Sequence, residues 1–453
     1  MGAREMDPSS CLDKLVKVTC QISYDEIPAT VVAKAKECLA DFVGIFCMGT
    51  RKLESASLRR ALGENTIFEN IEDMALWLGS TGRMLDIDDG HRYAMAHPGV
   101  VVNATAIALA TAHSDISGKK ILEAIVRGYE VYCYQGRVIN PSAYLKRGVD
   151  ATCVCGAGAA AIVSATMMDL SEEQTADALS LAASLAGGLN QSAIDGSAQK
   201  YLVAGWGAKL GIMAAKLAQH GLGGPAHVFE GRLGFCNAFA PDPDLEYLHN
   251  PRLVWDILNV YIKRYACVRR IHATLDAVQA IVEREQLSAA QIDQVRVFGS
   301  EFLHAASGCH PQDMAQAQTS VPFAVAVLLI HGQVSDDLVH ENLHNEEIGF
   351  LSEKVSVSMD DEIIRLAEKD SSLWGAARVE MIVKDGRSFS ETRIYPAGDP
   401  ENPLPEGAVR EKFMTLTQIP LGAEKAQTLW REINLLNENP DVGMVFTRMI
   451  AEL

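Results

Sequence analysis

Three carboxylates, two imidazoles and one guanidinium fall within twelve residues, from Asp86 to His97, in the run Asp86-Ile87-Asp88-Asp89-Gly90-His91-Arg92-Tyr93-Ala94-Met95-Ala96-His97. Imidazole and carboxylate are the commonest side chains for moving protons. Pro98 and Gly99 follow, and then an almost wholly apolar run from Val100 to Ala112. A dense polar patch at the mouth of an apolar helix is costly beside a core unless its groups are paired or used. The plainer alternative is a solvated loop that caps a buried helix, since Asp is a good N-cap and Pro suits a first turn.

Three other polar stretches sit before or between apolar segments. They are Tyr144-Leu145-Lys146-Arg147-Gly148-Val149-Asp150-Ala151-Thr152, Gly196-Ser197-Ala198-Gln199-Lys200, and Lys263-Arg264-Tyr265-Ala266-Cys267-Val268-Arg269-Arg270-Ile271-His272. The last is the most basic stretch in a chain whose net charge is −18. Such a local reversal of sign is what a site for a small polycarboxylate needs, although a solvated domain junction would also tolerate it. Elsewhere no Lys/Arg block stands out, which argues against nucleic acid and anionic membranes as partners.

The elements that must carry these stretches follow from periodicity. Val31, Val32, Ala35, Leu39, Phe42 and Val43 predict a helix over 25–47. Residues 98–112 are apolar on nearly every face and predict a central helix. Ser117-Gly118 opens another helix. The Ala/Gly-rich run Cys155 to Thr166 and the run Ala204 to His220, closed by Gly221, predict closely packed helices. Ser171-Glu172-Glu173-Gln174 is a capping box. Alternation then predicts strands at 294–299, 354–359, 377–383 and 388–393, the last two joined by the hairpin signal Asp385-Gly386. Helices are expected at 272–286 and 321–331, and again over 407–440.

The fold class expected is therefore mostly α. It has a large all-helical domain over 1–265, a smaller α+β lid over 266–400, and a helical segment over 401–453 that packs back on the first domain. With 453 residues, 48% of them hydrophobic, the chain can bury a large core. Its ten cysteines form no C-x-x-C pair, no apolar run reaches membrane-spanning length, and Met1 to Lys17 lacks an apolar leader core. The expectation is a soluble cytoplasmic protein.

The four stretches, in this order, resemble the MmgE/PrpD family, which contains 2-methylcitrate dehydratase, cis-aconitate decarboxylase and iminodisuccinate epimerase. The likeness rests on Asp86-x-Asp88-Asp89…His97-Pro98, Arg147-Gly148-x-x-x-Thr152…Gly156-Ala157, Gly196-Ser197-x-x-Lys200…Gly205-Trp206, Gly224-Pro225…Glu230-Gly231, and Lys263-x-Tyr265-x-Cys267…His272-Ala273…Asp276-Ala277. It implies a cleft between helical domain and lid, a homodimer, and no metal or organic cofactor. Carried over, Asp86 and His97 match the family's cleft acid and imidazole, Lys200 and Lys263 its two lysines, and His272 the imidazole of the lid motif. The lysines would stabilise the enolate-like charge formed when a carbon beside a carboxylate loses a proton or carbon dioxide, while an imidazole moves the proton.

The chain also departs from the family pattern. Asp150-Ala151-Thr152 stands where His-Pro-Thr is usual, and Val203 stands in place of a His. Near 316–323, Thr319-Ser320 and Phe323 replace the usual Phe-Ser and Tyr. Asp150 could act as a base, but its charge disfavours a crowded anion, so a substrate with fewer carboxylates or with an amine would suffer less. The catalytic set expected is Asp86, His97, Asp150, Lys200 and Lys263. Arg92, Tyr144, Arg147, Thr152 and His272 are expected to bind substrate. The activity expected is dehydration, decarboxylation or epimerisation of a small di- or tricarboxylate. Two other readings are a catalytically lapsed family member kept for binding, and a magnesium-dependent prenyl-diphosphate or terpene synthase. The second is weakened because Asp88-Asp89-Gly90-His91-Arg92 lacks a third carboxylate.

Overall fold

The computed structural model describes residues 6–64, 66–113 and 115–453. The helix Gly99–Ala112 is the axis of the larger domain, and its residues from Gly99 to Ala110 are all buried. Around it pack the helices Ile71–Gly82, Gly118–Ile139, Ala151–Met167 and Gln199–Gln219. Their small residues set the spacing. A methyl group on Gly205 would stand 2.0 Å from the Leu76 carbonyl oxygen, and one on Gly211 would stand 2.3 Å from Cβ of Ala160. Packing this close leaves no room for larger side chains without backbone shifts.

Caps and turns fall where the local chemistry asks for them. Ser117 caps Gly118–Ile139, and Ser171 with Gln174 forms the full capping box of Glu172–Leu185. The predicted helix over 25–47 is Ala29–Gly49, after a short 3-10 turn at Tyr24–Glu26. Residues 144–152, a polar stretch with no helical periodicity, are largely helical at both ends. Ser142–Arg147 is a short helix closed by Gly148 at φ 62°, and Asp150 accepts from the Thr152 N–H to start Ala151–Met167. The helix expected from Ala204 begins earlier, at Gln199, so Lys200 lies in its first turn.

The smaller domain carries a four-stranded sheet in the order Val355–Met359, Ile292–Gly299, Ala377–Val383, Ser388–Arg393. The first pair is parallel and the others antiparallel, with Val297 opposite both Val357 and Val379. Gly386 turns the hairpin at φ 91°. Helices His272–Glu285 and Val321–His331 cover the sheet's apolar face. Two large apolar cores result among the described residues, one from Cys11 to Ile262 joined by Phe413 to Ile450 and one from Tyr265 to Val383, beside a small alanine cluster around Ala157, Ala178 and Ala214. The predicted C-terminal helix is broken into Ala408–Leu421 and Ala423–Asn434, whose Phe413, Leu429 and Ile433 lie in the first core. Among the described residues no single helix is long and apolar enough to cross a membrane.

One small element matters most for the site. Gly90–His91 pairs antiparallel with Val260–Tyr261, Gly90 facing Tyr261. This two-residue ladder ties the Asp/His stretch to the segment that leads into Lys263. Glycine is required there, because a methyl on Gly90 would overlap the Tyr261 hydroxyl at 2.1 Å.

Candidate active site

Asp86 ends the turn after the Ile71–Gly82 helix with φ at 51°, a left-handed conformation that costs any residue but glycine and that Asp tolerates better than most. The turn aims its carboxylate inward. Oδ1 accepts from Arg83 Nη1 at 2.6 Å and Lys263 Nζ at 2.8 Å, and Oδ2 from Lys200 Nζ at 3.1 Å. Lys263 also donates to the Asp86 carbonyl at 2.9 Å, and Lys200 donates to Gln318 Oε1 at 2.9 Å. Three segments thus meet at one carboxylate, and Lys200 links it to the lid residue Gln318. Burial alone would raise the Asp86 pKa, but Lys200, Lys263 and Arg83 together outweigh it and hold the group well below the ordinary carboxylate range. A carboxylate so held is a fixed anion rather than a base.

His97 sits one step outward. Its Nδ1 is 2.9 Å from the Asp89 carbonyl oxygen and 2.9 Å from Asp88 Oδ2. The N–H points at the carbonyl; Asp88 Oδ2, without an aligned donor of its own, acts through charge at the same distance. With Nδ1 as donor, Nε2 is left as the acceptor, and Arg83 Nη2 stands 3.0 Å from it. Assigned from this network, the tautomer presents a lone pair on Nε2. Burial and then Arg83 lower the His97 pKa, against the opposing pull of Asp88. Asp88 itself is held low: burial raises it, and Arg83 and His97 more than reverse that.

Behind these groups Asp89 accepts from Tyr129 OH at 2.6 Å and from the Gly99 N–H at 2.9 Å. Burial pushes its pKa up to about 7, with the Tyr129 bond opposing and Asp41 and Asp88 adding to the rise. Both carboxylates of the Asp88-Asp89 pair are therefore committed to protein partners.

A cavity of about 500 Å³ opens over this arrangement, between the two domains. Its wall includes Arg83, His97 and Lys200 at one side, Asp150 and Thr152 at the start of Ala151–Met167, and Tyr144, Phe302 and Trp374 as an aromatic cluster. Ring centroids are 5.8 Å apart for Tyr144–Phe302 and 5.4 Å for Phe302–Trp374. The size suits a small organic ligand.

The other expected residues are placed as follows. Arg92 lines the cavity but its fork is closed on Glu401, with Nη2 2.6 Å from Oε1. Arg147 is exposed and is not part of the wall. Asp86 and Lys263 are buried beneath the floor and do not line the cavity. His272, at the first turn of its helix, is buried outside the wall with Nε2 3.2 Å from the Cys267 carbonyl oxygen. Burial and then Lys263 press its pKa down to about 3. Val203 is buried and also outside the wall. His91 lines the cavity, yet its Nδ1 accepts from the Ala94 N–H at 3.0 Å and its Nε2 faces Asp256 at 3.3 Å. His91, Cys133 and Asp256 bring three ligand atoms within 4.8 Å of one another, but the Arg137 fork, at 2.6 and 2.7 Å, occupies both Asp256 oxygens.

Arg83 and Gln318 were not singled out from sequence, and Asp88 stands in the Asp-rich motif without a place in the expected catalytic or binding set. Arg83 follows Gly82 at a helix end, where a lone Arg reads as an ordinary C-terminal cation. Its only signal is that it precedes three Asp within six residues.

Residues 13–248 match the MmgE/PrpD N-terminal domain and residues 265–438 the MmgE/PrpD C-terminal domain. The chain is 25% identical over 469 residues to the cis-aconitate decarboxylase-like protein oryM of Aspergillus oryzae, covering 96% of each chain. It is 26% identical to the cis-aconitate decarboxylase of Aspergillus terreus, over 87% of this chain and 86% of that one. It is 23% identical to the mitochondrial 2-methylcitrate dehydratase of Yarrowia lipolytica, over 85% of this chain and 80% of that one. With both domain models matched in order across most of its length, the chain belongs to the MmgE/PrpD family.

Proposed function

We propose that the protein is a lyase that dehydrates or decarboxylates a small di- or tricarboxylate, using side chains alone to move the proton and hold the charge. The observation that carries this reading is the pinning of His97 Nδ1 at Asp88 and Asp89 while Nε2 stands 3.0 Å from Arg83 Nη2, with Arg83, His97 and Lys200 all on the cavity wall. A substrate carboxylate docks at Lys200 and Arg83. Charge building on that carboxylate as the neighbouring carbon becomes an enolate-like anion is met by cations already in place.

In dehydration, Nε2 takes the proton from the carbon next to the carboxylate. Asp88 stabilises the imidazolium that forms, and hydroxide departs from the adjacent carbon with a proton from an acid in the cavity. In decarboxylation, the carbon–carbon bond breaks first, carbon dioxide leaves, and the carbanion takes a proton from an acid in the cavity. Asp150, which also lines the cavity, serves as the second proton-transfer group in this reading. Its negative charge favours a dicarboxylate over a more crowded anion.

The test is a panel of hydroxylated and unsaturated di- and tricarboxylates, cis-aconitate and 2-methylcitrate among them, followed for carbon dioxide release and alkene formation. Turnover of at least one is expected, with a bell-shaped pH profile for kcat/KM. The rising limb belongs to loss of the His97 proton and falls below the ordinary 6.5, because burial and Arg83 lower that pKa. The falling limb belongs to loss of the Lys200 proton and starts below the ordinary 10.5, because burial lowers it more than Asp86 raises it. Absence of turnover with the whole panel would favour a binding role instead.

A further inference from the structure

Of the three arginines of the cavity wall that the mechanism above does not use, Arg92, Arg269 and Arg270, two are held by protein carboxylates and, among the described residues, Arg270 is not. It comes from the lid, in the 3-10 turn Arg269–Ile271. Its neighbour Arg269 is fully engaged, with Nε 3.0 Å from Asp399 Oδ1 and Nη1 3.1 Å from the Ser372 carbonyl. Arg270 differs. Among the described residues it makes no ion pair, and its Nε is buried with no hydrogen-bond partner. Its guanidinium lies over Phe302, 4.5 Å from the ring centroid. Gly375 packs against its backbone so closely that a methyl there would stand 3.1 Å from the Arg270 Cα. The residue is therefore held in place from behind and from one face, with its fork presented to the cavity.

A cation withdrawn from water without a counter-charge is expensive to keep. Burial accordingly lowers the Arg270 pKa, with only the distant Tyr144 and Asp86 opposing. Arg92, also on the wall, shows how the chain satisfies a guanidinium when the protein itself supplies the anion: Glu401 takes both ends of its fork. Among the described residues no carboxylate is paired with Arg270. A planar fork with free donors matches a carboxylate bidentately, and stacking on an aromatic ring fixes its plane.

We infer that Arg270 receives a second carboxylate of the substrate, remote from the reacting carbon, and so selects diacids over monoacids. This rests on the lyase reading above and deepens it. One carboxylate sits at Lys200 and Arg83, the other at Arg270 on the lid, and the chain between them lies along the Tyr144–Phe302–Trp374 cluster. Substrate then bridges the helical domain and the lid.

The experiment uses succinate, glutarate and adipate and the monoamide of each, titrated calorimetrically into the full-length protein and its Arg270→Gln and Arg270→Lys variants. The wild type is expected to bind at least one diacid more tightly than its monoamide. In Arg270→Gln that diacid should weaken by about 30-fold or more, as for truncation of a buried charge partner, while the monoamide changes by no more than about 3-fold. Arg270→Lys keeps the charge without the fork and should fall between. Thermal unfolding of each variant reports its folding, and if Arg270→Gln does not fold, Arg270→Lys carries the comparison. If the wild type prefers a diacid and the variants keep that preference, or lose diacid and monoamide equally, the assignment of Arg270 is overturned and the lyase reading stands. If the wild type binds neither diacids nor monoamides, the carboxylate site itself is refuted and both fall together.

Discussion

His97→Gln is expected to lower kcat by about 10²–10⁴-fold, the usual contribution of a positioned acid–base group, while leaving the protein folded. The amide of Gln can still donate toward the Asp89 carbonyl but offers no lone pair of comparable basicity at the Nε2 position. His97 keeps part of its side chain exposed, and its bonds run to a loop rather than into the apolar core. The unfolding temperature should therefore move little. Steady-state kinetics beside a thermal melt read both parts. Undiminished kcat would remove His97 from the chemistry, and collapse of the fold would make it a structural residue instead.

Asp86→Asn is expected to do the opposite, costing stability first. Asp86 is the common counter-charge of Arg83, Lys200 and Lys263, and Lys200 and Lys263 are themselves only 7% and 1% exposed. Removing one partner of a buried ionic cluster leaves uncompensated charge and typically costs about 3–5 kcal/mol. A fall of several degrees in the unfolding temperature follows, measured by calorimetry. Activity should fall with it, and the direction of the pH effect is fixed. Asp86 raises the Lys200 pKa against burial, so its loss lets that pKa drop and moves the falling limb of the pH profile to lower pH. A variant with wild-type stability and an unmoved alkaline limb would show that the lysines find their counter-charge elsewhere.

The convergence of Asp86, Lys200 and Lys263, with His97 beside them, was expected from the resemblance to the MmgE/PrpD family; the polar stretches beside apolar helices by themselves marked only where a site could lie. The hairpin at Asp385-Gly386 and the capping box at Ser171 were legible for local reasons. What escaped was set by geometry with no periodic signal. Arg83 becomes the hub joining Asp86, Asp88 and His97 only because Asp86 adopts a left-handed backbone and folds the loop back on the helix end. The polar stretch from Tyr144 to Thr152 carries no periodic signal because its charges mask two helix ends that meet at Gly148 and Asp150. His272 and Arg270 are two residues apart in one basic run. Only the 3-10 turn at Arg269–Ile271 decides that the arginine is on the cavity wall and the imidazole is not.

Exchange of substrate hydrogen with deuterium oxide tests most directly whether one imidazole moves the proton while Lys200 and Arg83 hold the anion. The acid that the protein turns over is incubated in deuterium oxide, and label at the carbon beside the carboxylate is followed by NMR. The wild type should wash label into that carbon. His97→Gln should still bind the acid yet exchange at least about 10²-fold more slowly. Exchange at the wild-type rate in that variant, with binding intact, would contradict the account.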